Sequence, residues 1–195
     1  MKKKGNNNYE IIAIGASAGG PKVIREILSF LPSQFPLGII IVQHIAEGFV
    51  EKLAEGLNKT SLIEVKLAQT GDRVEGGRAF LAPDKYHTIV NKKGQIRLLS
   101  APVFKGHRPS IDFLMESVAE VYGTRAIGVL LTGMGEDGAR GLRAIKEGDG
   151  ITLVQDEGSC TIFGMPKVAI DIGAADEVLS IQGIIDRLLS LGSKT

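Results

Sequence analysis

The sequence predicts an α/β fold, namely a single doubly wound, mostly parallel sheet with helices on both faces and a small antiparallel hairpin at one edge. Three observations predict it. Apolar runs of strand length alternate with segments of helical periodicity, which is the pattern of a parallel sheet. The run LGIIIV at residues 37–42 is apolar at every position, as expected of a strand covered on both faces. Short strands separated by turn residues interrupt this alternation in the middle of the chain.

The chain of 195 residues, of which 44% are hydrophobic and 23% charged, is long enough for one compact domain. We predict a flexible tail over residues 1–8 and one domain over residues 9–195. The formal net charge of +1 is unlike that of nucleic-acid-binding or anionic-membrane-binding proteins, which carry an excess of Lys and Arg. No apolar run reaches about 18 residues, so we expect no membrane insertion. The single cysteine, Cys160, excludes an internal disulfide and favours a reducing, cytoplasmic location.

The first half of the chain opens with two strand–helix units. Residues 9–14 predict a strand and residues 21–31 a helix, whose apolar side chains share one face and whose first turn begins with proline. Residues 37–42 predict the second strand, and an apolar stripe over residues 49–57 predicts the second helix.

Four short strands are predicted next, at residues 62–68, 78–82, 86–90 and 95–99. Turns containing glycine or proline separate them, so we expect a hairpin or meander at one edge of the sheet.

The alternation then resumes, and Ser110 is the predicted N-cap of the next helix. The remaining predicted elements are this helix to about residue 122, a strand at 126–131, a helix at 138–147, a strand at 151–154, and helices near 165–171 and 181–191.

The segment IGASAGGP, residues 14–21, places Ser17 in a glycine-rich turn after the first strand. A dinucleotide-binding GxGxxG motif requires glycine where Ser17 stands and an acidic residue at the end of the second strand, where Gln43 and His44 stand. A P-loop requires lysine where Pro21 stands. Both nucleotide-binding motifs therefore lack a residue that performs the binding.

Gly15, Ser17 and Gly19 do match the motif GxSxG. In this motif a sharp strand-to-helix turn exposes the serine hydroxyl, and the turn requires small neighbours. The same turn directs the backbone N–H of Ala18 toward a carbonyl under attack, where one donor is worth roughly 3 kcal/mol. The pentapeptide alone does not distinguish a nucleophile from a turn made small for packing.

A base and an acid are predicted at the same rim of the sheet. Functional groups of an open parallel sheet gather beyond the carboxyl ends of its strands. His44 follows the second strand and Asp137 follows the strand at 126–131, so both are expected beside Ser17. The chain order Ser, His, Asp differs from the Ser, acid, His order of α/β-hydrolases and indicates a separate lineage.

Each candidate also has a simpler structural explanation. His44 alone is compatible with a hydrogen-bonded loop residue, and Asp137 with a cap of the helix that follows it. Asp156 is a rival acid at another strand end, with the same capping alternative. His87 lies inside a predicted edge strand, whereas His107 precedes a helix in a position to line a cleft.

Six motifs resemble, in order and spacing, the catalytic domain of the CheB-type protein-glutamate methylesterases of bacterial chemotaxis. They are IGASAGGP, VQH, GHRPSIDFL, LLTGMGEDGARGL, VQDEGSCTIFGMPKVAI and GAADEVL, and the similarity covers residues 11 to about 190. The resemblance implies a doubly wound α/β domain with a parallel sheet and a small hairpin. It also implies a catalytic triad of Ser17, His44 and Asp137, with the N–H groups of Ala18 and Met134 as oxyanion donors.

The resemblance further implies a serine hydrolase that demethylates γ-glutamyl methyl esters on the cytoplasmic helices of methyl-accepting chemoreceptors and releases methanol. Some members also deamidate receptor glutamines, and none needs a metal or cofactor. Many relatives carry Met-Pro after the histidine, where this chain has Ile45-Ala46. Full-length members also place a phosphorylatable receiver domain before the catalytic domain, where this chain has only MKKKGNNNYE. We therefore expect no receiver domain within these residues. If the chain is an excised domain, we expect a receiver domain to control it in cis; otherwise we expect control in trans.

Other functions stay open on the sequence. A non-catalytic receptor-docking module would keep the same fold without turnover, and a nucleotide-binding domain would have to do without its acid and lysine. Arg108 either faces the cleft together with His107 or fixes the loop before Ser110.

Overall fold

The computed structural model describes residues 8–193, so residues 1–7 of the predicted tail lie outside the described residues. In chain order the elements are β1 (Ile11–Ala16), α1 (Gly20–Phe30), β2 (Gly38–Gln43), α2 (Val50–Thr60), β3 (Glu64–Leu67), β4 (Arg78–Leu81), β5 (His87–Val90), β6 (Ile96–Leu99), α3 (Ile111–Tyr122), β7 (Ala126–Leu130), α4 (Ala139–Glu147), β8 (Ile151–Gln155), α5 (Met165–Asp171), β9 (Glu177–Leu179) and α6 (Ile181–Gly192). Short 3₁₀ turns occupy Gly123–Arg125 and Glu157–Ser159.

Seven strands form one parallel sheet in the order β3-β4-β2-β1-β7-β8-β9. The strand order reverses at β1, which pairs with β2 on one side and with β7 on the other. The carboxyl ends of these three strands therefore lie side by side at the centre of the sheet. This is the position at which open α/β sheets bind their ligands.

Helices cover both faces of the sheet because its central strands are apolar on both sides. All six residues of β1 are buried, as are all six of β2. Alternate side chains of β1 enter opposite cores, Ile12 and Ile14 on one face and Ile11 and Ala13 on the other. The first core also contains residues of α1, α2 and α6, and the second contains residues of α3, α4 and α5. The predicted fold class is confirmed.

The four short strands of the middle segment divide between two sheets. β3 and β4 join the edge of the main sheet as parallel strands, and β5 and β6 form a separate antiparallel pair. The hairpin is thus confirmed, but the four strands do not form one meander. Residues 68–77, between β3 and β4, return the chain to the same end of the sheet, as a parallel pair requires. The three-residue strand β9 was not predicted, because so short a run does not differ from a loop in its pattern.

Within the described residues, no helix is both long enough and apolar enough to cross a bilayer.

Helices α3 and α4 pack against each other and exchange carboxylate caps. Asp112, in the first turn of α3, accepts hydrogen bonds from the N–H groups of Gly138 (2.9 Å) and Gly141 (2.8 Å) at the start of α4. Asp137, just before α4, accepts from the N–H groups of Ile111 (2.7 Å) and Asp112 (3.1 Å) at the start of α3. Each carboxylate satisfies N–H groups that a helix start leaves unpaired. The exchange fixes the loop that carries Asp137.

Replacing Asp112 by alanine should lower the free energy of unfolding by about 2 kcal/mol, because two buried N–H groups lose their acceptor. Asp112→Asn should lose less, since the amide oxygen can still accept and burial already raises the pKa of Asp112. Chemical denaturation followed by circular dichroism measures both. Glu116→Ala is the control on the same helix, because its ion pair with Arg140 is exposed and should contribute under about 1 kcal/mol. Equal losses for Asp112→Ala and Asp112→Asn would contradict the capping role.

Candidate active site

Ser17 is the first residue beyond β1 and begins the turn into α1. Its carbonyl oxygen accepts hydrogen bonds from the Gly20 N–H (2.9 Å) and from Gln43 Nε2 (2.8 Å). Gly19 has a φ of 83°, and a side chain at this position would collide with Thr161. The turn is therefore as tight as the GxSxG pattern predicts.

His44 is the first residue beyond β2 and lies beside Ser17. β1 and β2 are parallel and paired as far as Ala16 and Gln43, and the His44 N–H donates to the Ala16 carbonyl oxygen at 2.9 Å. Ser17 and His44 are the residues that directly follow these two paired strand ends. The Gln43 side-chain amide also donates to the carbonyl oxygens of both residues, at 2.8 Å each. These bonds tie the two strand ends together.

Asp137 meets the ring of His44. Asp137 Oδ2 lies 2.9 Å from His44 Nε2, and the two side chains are only 2% and 10% exposed. The distance is that of an ion pair, although the ring N–H is not well aligned for a hydrogen bond. Nδ1 of the same ring is buried and has no hydrogen-bond partner among the described residues. With Nε2 directed at Asp137, Nδ1 is the nitrogen left free to act as a base.

The carboxylate of Asp137 is held in its ionised form. Burial would raise its pKa, but His44, the N–H groups of Ile111 and Asp112, and the Ser110 hydroxyl (2.8 Å) together lower the pKa to about 2. An ionised carboxylate beside an imidazole stabilises the protonated ring. Asp137 is also a helix cap, but for α3 and not for the helix that follows it, which was the expected alternative.

The imidazole ring of His107 lies against that of His44. The rings of His44 and His107 are stacked, with 3.9 Å between their centroids and 3° between their planes. Burial, and then the positive charge of a protonated His44, lower the pKa of His107 below its usual value of 6.5, against the smaller effect of Asp137. His107 is therefore neutral at pH 7, and its ring restricts the plane in which His44 lies.

A small cleft opens beside these rings. It has a volume of about 140 Å³ and is lined by Gln43, His44, Ile45 and residues 106–109. Ile45, which follows His44 directly, forms part of the wall of this cleft.

Two backbone N–H groups are available for an oxyanion. Neither Ala18 nor Met134 donates its N–H to an acceptor within residues 8–193. The turn that carries Met134 lies against the serine, because a Cβ added to Gly133 would come within 2.6 Å of Ser17 Cβ. Gly133 is itself held by its N–H bond to the Ile162 carbonyl oxygen at 3.0 Å.

Comparison with known proteins identifies the family and the fold. The model of the CheB methylesterase family matches residues 12–188. The chain belongs to the CheB methylesterase family. The Thermotoga maritima CheB methylesterase catalytic domain has the same fold, with a TM-score of 0.90 and 37% sequence identity, covering 94% of this chain and 98% of that one.

Two curated members of the family illustrate the sequence similarity. The chain is 46% identical over 188 residues to the protein-glutamate methylesterase/protein-glutamine glutaminase of Syntrophotalea carbinolica, which covers 95% of this chain and 53% of that protein. It is 43% identical over 176 residues to the protein-glutamate methylesterase FrzG of Myxococcus xanthus, with coverage of 90% and 53%. The chain thus spans about half the length of these CheB-family proteins.

The sequence analysis missed two residues that build this candidate site. Gln43 is buried and joins the carbonyl oxygens of Ser17 and His44. Thr132 donates its hydroxyl to the Ala18 carbonyl oxygen at 2.9 Å and accepts from the Ile162 N–H at 3.0 Å. Each is a buried polar residue directly after an apolar run, and that position was the available signal.

The rival candidates have structural roles. His87 is fully buried, where its Nδ1 accepts from the Ser110 N–H (3.2 Å) and its Nε2 lies 2.9 Å from the Pro102 carbonyl oxygen. Asp156 accepts from both the N–H (3.0 Å) and the hydroxyl of Ser159, which caps the 3₁₀ turn that follows it.

The thiol of Cys160 is not suited to act as a nucleophile. Burial raises the pKa of the Cys160 thiol to about 11, so it is protonated at neutral pH and a poor nucleophile. Among residues 8–193, no three His, Cys, Asp or Glu side chains are grouped so that they could hold a metal ion.

The buried charge of Asp137 predicts a specific dependence of stability on pH. Because its folded-state pKa is lowered from 3.8 to about 2, the ionised group stabilises the fold above pH 3.8, and this contribution is lost as the pH falls toward 2. The pKa difference corresponds to about 2 kcal/mol. The difference in unfolding free energy between wild type and Asp137→Asn should therefore shrink by about 2 kcal/mol from pH 5 to pH 2. Denaturation curves across this range measure it, and a difference independent of pH would refute the assignment.

Proposed function

We propose that this chain is a serine esterase that hydrolyses γ-glutamyl methyl esters on the cytoplasmic helices of methyl-accepting chemoreceptors and releases methanol. The observation that carries the proposal is the 2.9 Å contact of Asp137 with His44, one strand away from Ser17. The names of the relatives, protein-glutamate methylesterase/protein-glutamine glutaminase and protein-glutamate methylesterase FrzG, support the reaction and the substrate.

The first half of the proposed reaction acylates the serine. His44 accepts the proton of the Ser17 hydroxyl through Nδ1 while Oγ attacks the ester carbonyl carbon. Asp137 stays ionised, because its pKa is about 2, and it stabilises the imidazolium that forms. The new negative charge lies on the former carbonyl oxygen, where the N–H groups of Ala18 and Met134 can each contribute roughly 3 kcal/mol.

The second half restores the enzyme. His44 returns its proton to the methoxide oxygen, so methanol leaves and the glutamyl group stays esterified to Ser17. Water then attacks this ester, again giving its proton to His44, and the free carboxylate of glutamate is released as Ser17 regains its proton. A glutamine side chain would follow the same path with ammonia as the leaving group, so deamidation belongs to the proposal.

Regulation by a receiver domain, in cis or in trans, also belongs to the proposal. The rim of the site presents apolar side chains to solvent, with Met134 72%, Val103 56% and Ile162 38% exposed. A protein domain bound at this rim would bury these apolar side chains, which favours its binding. A domain covering this rim would close the cleft beside His44.

Replacing Ser17 or His44 by alanine should lower the rate of methanol release by about 10⁴-fold, because each removes a member of the triad. The assay is methanol release from a methylated receptor fragment, with thermal unfolding as the check that each variant is folded. Undiminished release by Ser17→Ala would end the proposal. Tight binding of the fragment by wild type without methanol release would instead favour a receptor-docking module.

The stacked ring of His107 predicts a graded effect on turnover. His107→Phe keeps a flat ring against His44 and should retain kcat within about threefold, whereas His107→Ala frees the ring and should lower kcat about tenfold. Steady-state methanol release measures both values. An alanine variant with wild-type kcat would show that the stack does not orient the base.

A further inference from the structure

Arg108, at the mouth of the cleft, is a charged side chain that has no ionic partner among the described residues. It is exposed, and its Nη1 donates a hydrogen bond to the Ala101 carbonyl oxygen at 3.1 Å. No carboxylate within residues 8–193 lies at ion-pair distance from it. The other cations around this rim are all paired: Lys85 with Glu47 (2.6 Å), Lys105 with Glu136 (2.5 Å) and Arg140 with Glu116 (2.7 Å).

The backbone that carries Arg108 is attached to the reacting groups on both sides. His107 stacks on His44, and the Ser110 hydroxyl donates to Asp137. Pro109, between them, is buried. The guanidinium is thus free to meet a ligand, while its attachment point is fixed relative to His44.

Arg108 also stands where two clefts join. The cleft beside His44 shares Ile45, Gly106 and Arg108 with an adjoining cleft of about 220 Å³. No acidic residue lines the first cleft. The adjoining cleft contains the Glu47–Lys85 ion pair, whose net charge is zero, and Asp84, which accepts the Gly48 N–H at 2.7 Å and keeps its negative charge. An acidic ligand is therefore favoured in the cleft beside His44, where Arg108 is the cation that it would meet.

We propose that Arg108 binds a second, unesterified carboxylate of the substrate, close to the ester that reacts. The inference rests on the proposed function. Neither the uncharged ester nor its oxyanion, which is assigned to the N–H groups of Ala18 and Met134, accounts for a guanidinium at this position. Arginine binds a carboxylate through two parallel N–H donors, which gives both affinity and orientation. The preferred substrate is therefore a glutamyl methyl ester with an acidic side chain within one helical turn.

Two helical peptides test this inference, each with a single γ-methyl glutamate. The positions within one turn of the ester carry Glu in one peptide and Gln in the other. Wild type should show a kcat/KM about tenfold higher for the Glu-flanked peptide, and added salt should reduce the preference. Arg108→Gln should lower kcat/KM about tenfold on the Glu-flanked peptide and less than about twofold on the Gln-flanked peptide. Arg108→Lys keeps the charge without the paired donors, so its kcat/KM on the Glu-flanked peptide should lie between those of wild type and Arg108→Gln.

The matched control is Arg97→Gln, which removes the same charge from an exposed position of β6 outside both clefts. It should leave the preference unchanged. Equal losses by Arg108→Gln on both peptides would mean that Arg108 serves the loop through its bond to Ala101, and would overturn the inference. The inference would also be overturned if Arg108→Gln only weakened inhibition by the product carboxylate and left kcat/KM unchanged on both peptides. Equal turnover of both peptides by wild type would contradict this inference but not the proposed function. Failure of wild type to release methanol from either peptide would contradict the proposed function as well.

Discussion

The carboxylate of Asp137 joins the packing of the helices to the proposed chemistry. The same two oxygens accept the N–H groups that begin α3 and contact the imidazole of His44. These N–H donors keep a buried group ionised, against the cost of removing its charge from water. Asp112 makes the reverse connection to α4 and thereby holds the loop from which Asp137 projects. Asp137 is thus held beside His44 by the same hydrogen bonds that pair the free N–H groups at the starts of α3 and α4.

This arrangement requires the start of α3 to lie close to β1 and to the start of α4. Ile111, the first residue of α3, is packed so tightly between β1 and the start of α4 that a side chain at Gly15 would collide with it. A Cβ at Gly138 would come within 2.7 Å of the same isoleucine, and Gly138 also has a φ of 91°. These glycines allow the start of α3, with its N–H groups, to reach the rim where β1 ends. The glycines of the motifs therefore serve the approach of α3 as well as the turn at Ser17.

The candidate site has a buried part and an exposed part. His44 and Asp137 are nearly inaccessible, whereas Arg108 and Met134 are exposed. Both sets are nevertheless carried on short segments anchored to the same core, since His107 stacks on His44 and Gly133 packs against Ser17. A substrate bound at the exposed groups would therefore be presented in a defined orientation to the buried ones.

The sequence by itself determined the parallel sheet, the helices on both faces and the strand-end positions of Ser17, His44 and Asp137. These features depend on the periodicity of apolar residues and on turn chemistry, which act over a few residues. The strand-end pattern left Asp156 as a rival acid, and the tertiary structure shows that Asp137 is the one that contacts His44. Asp137 and Asp156 both follow strands and both act as caps, but Asp156 caps its own turn whereas Asp137 caps a helix that begins 26 positions earlier in the chain. The stack of His107 on His44, the bridge formed by Gln43 and the separate β5–β6 sheet likewise depend on contacts between distant segments, which no local pattern specifies.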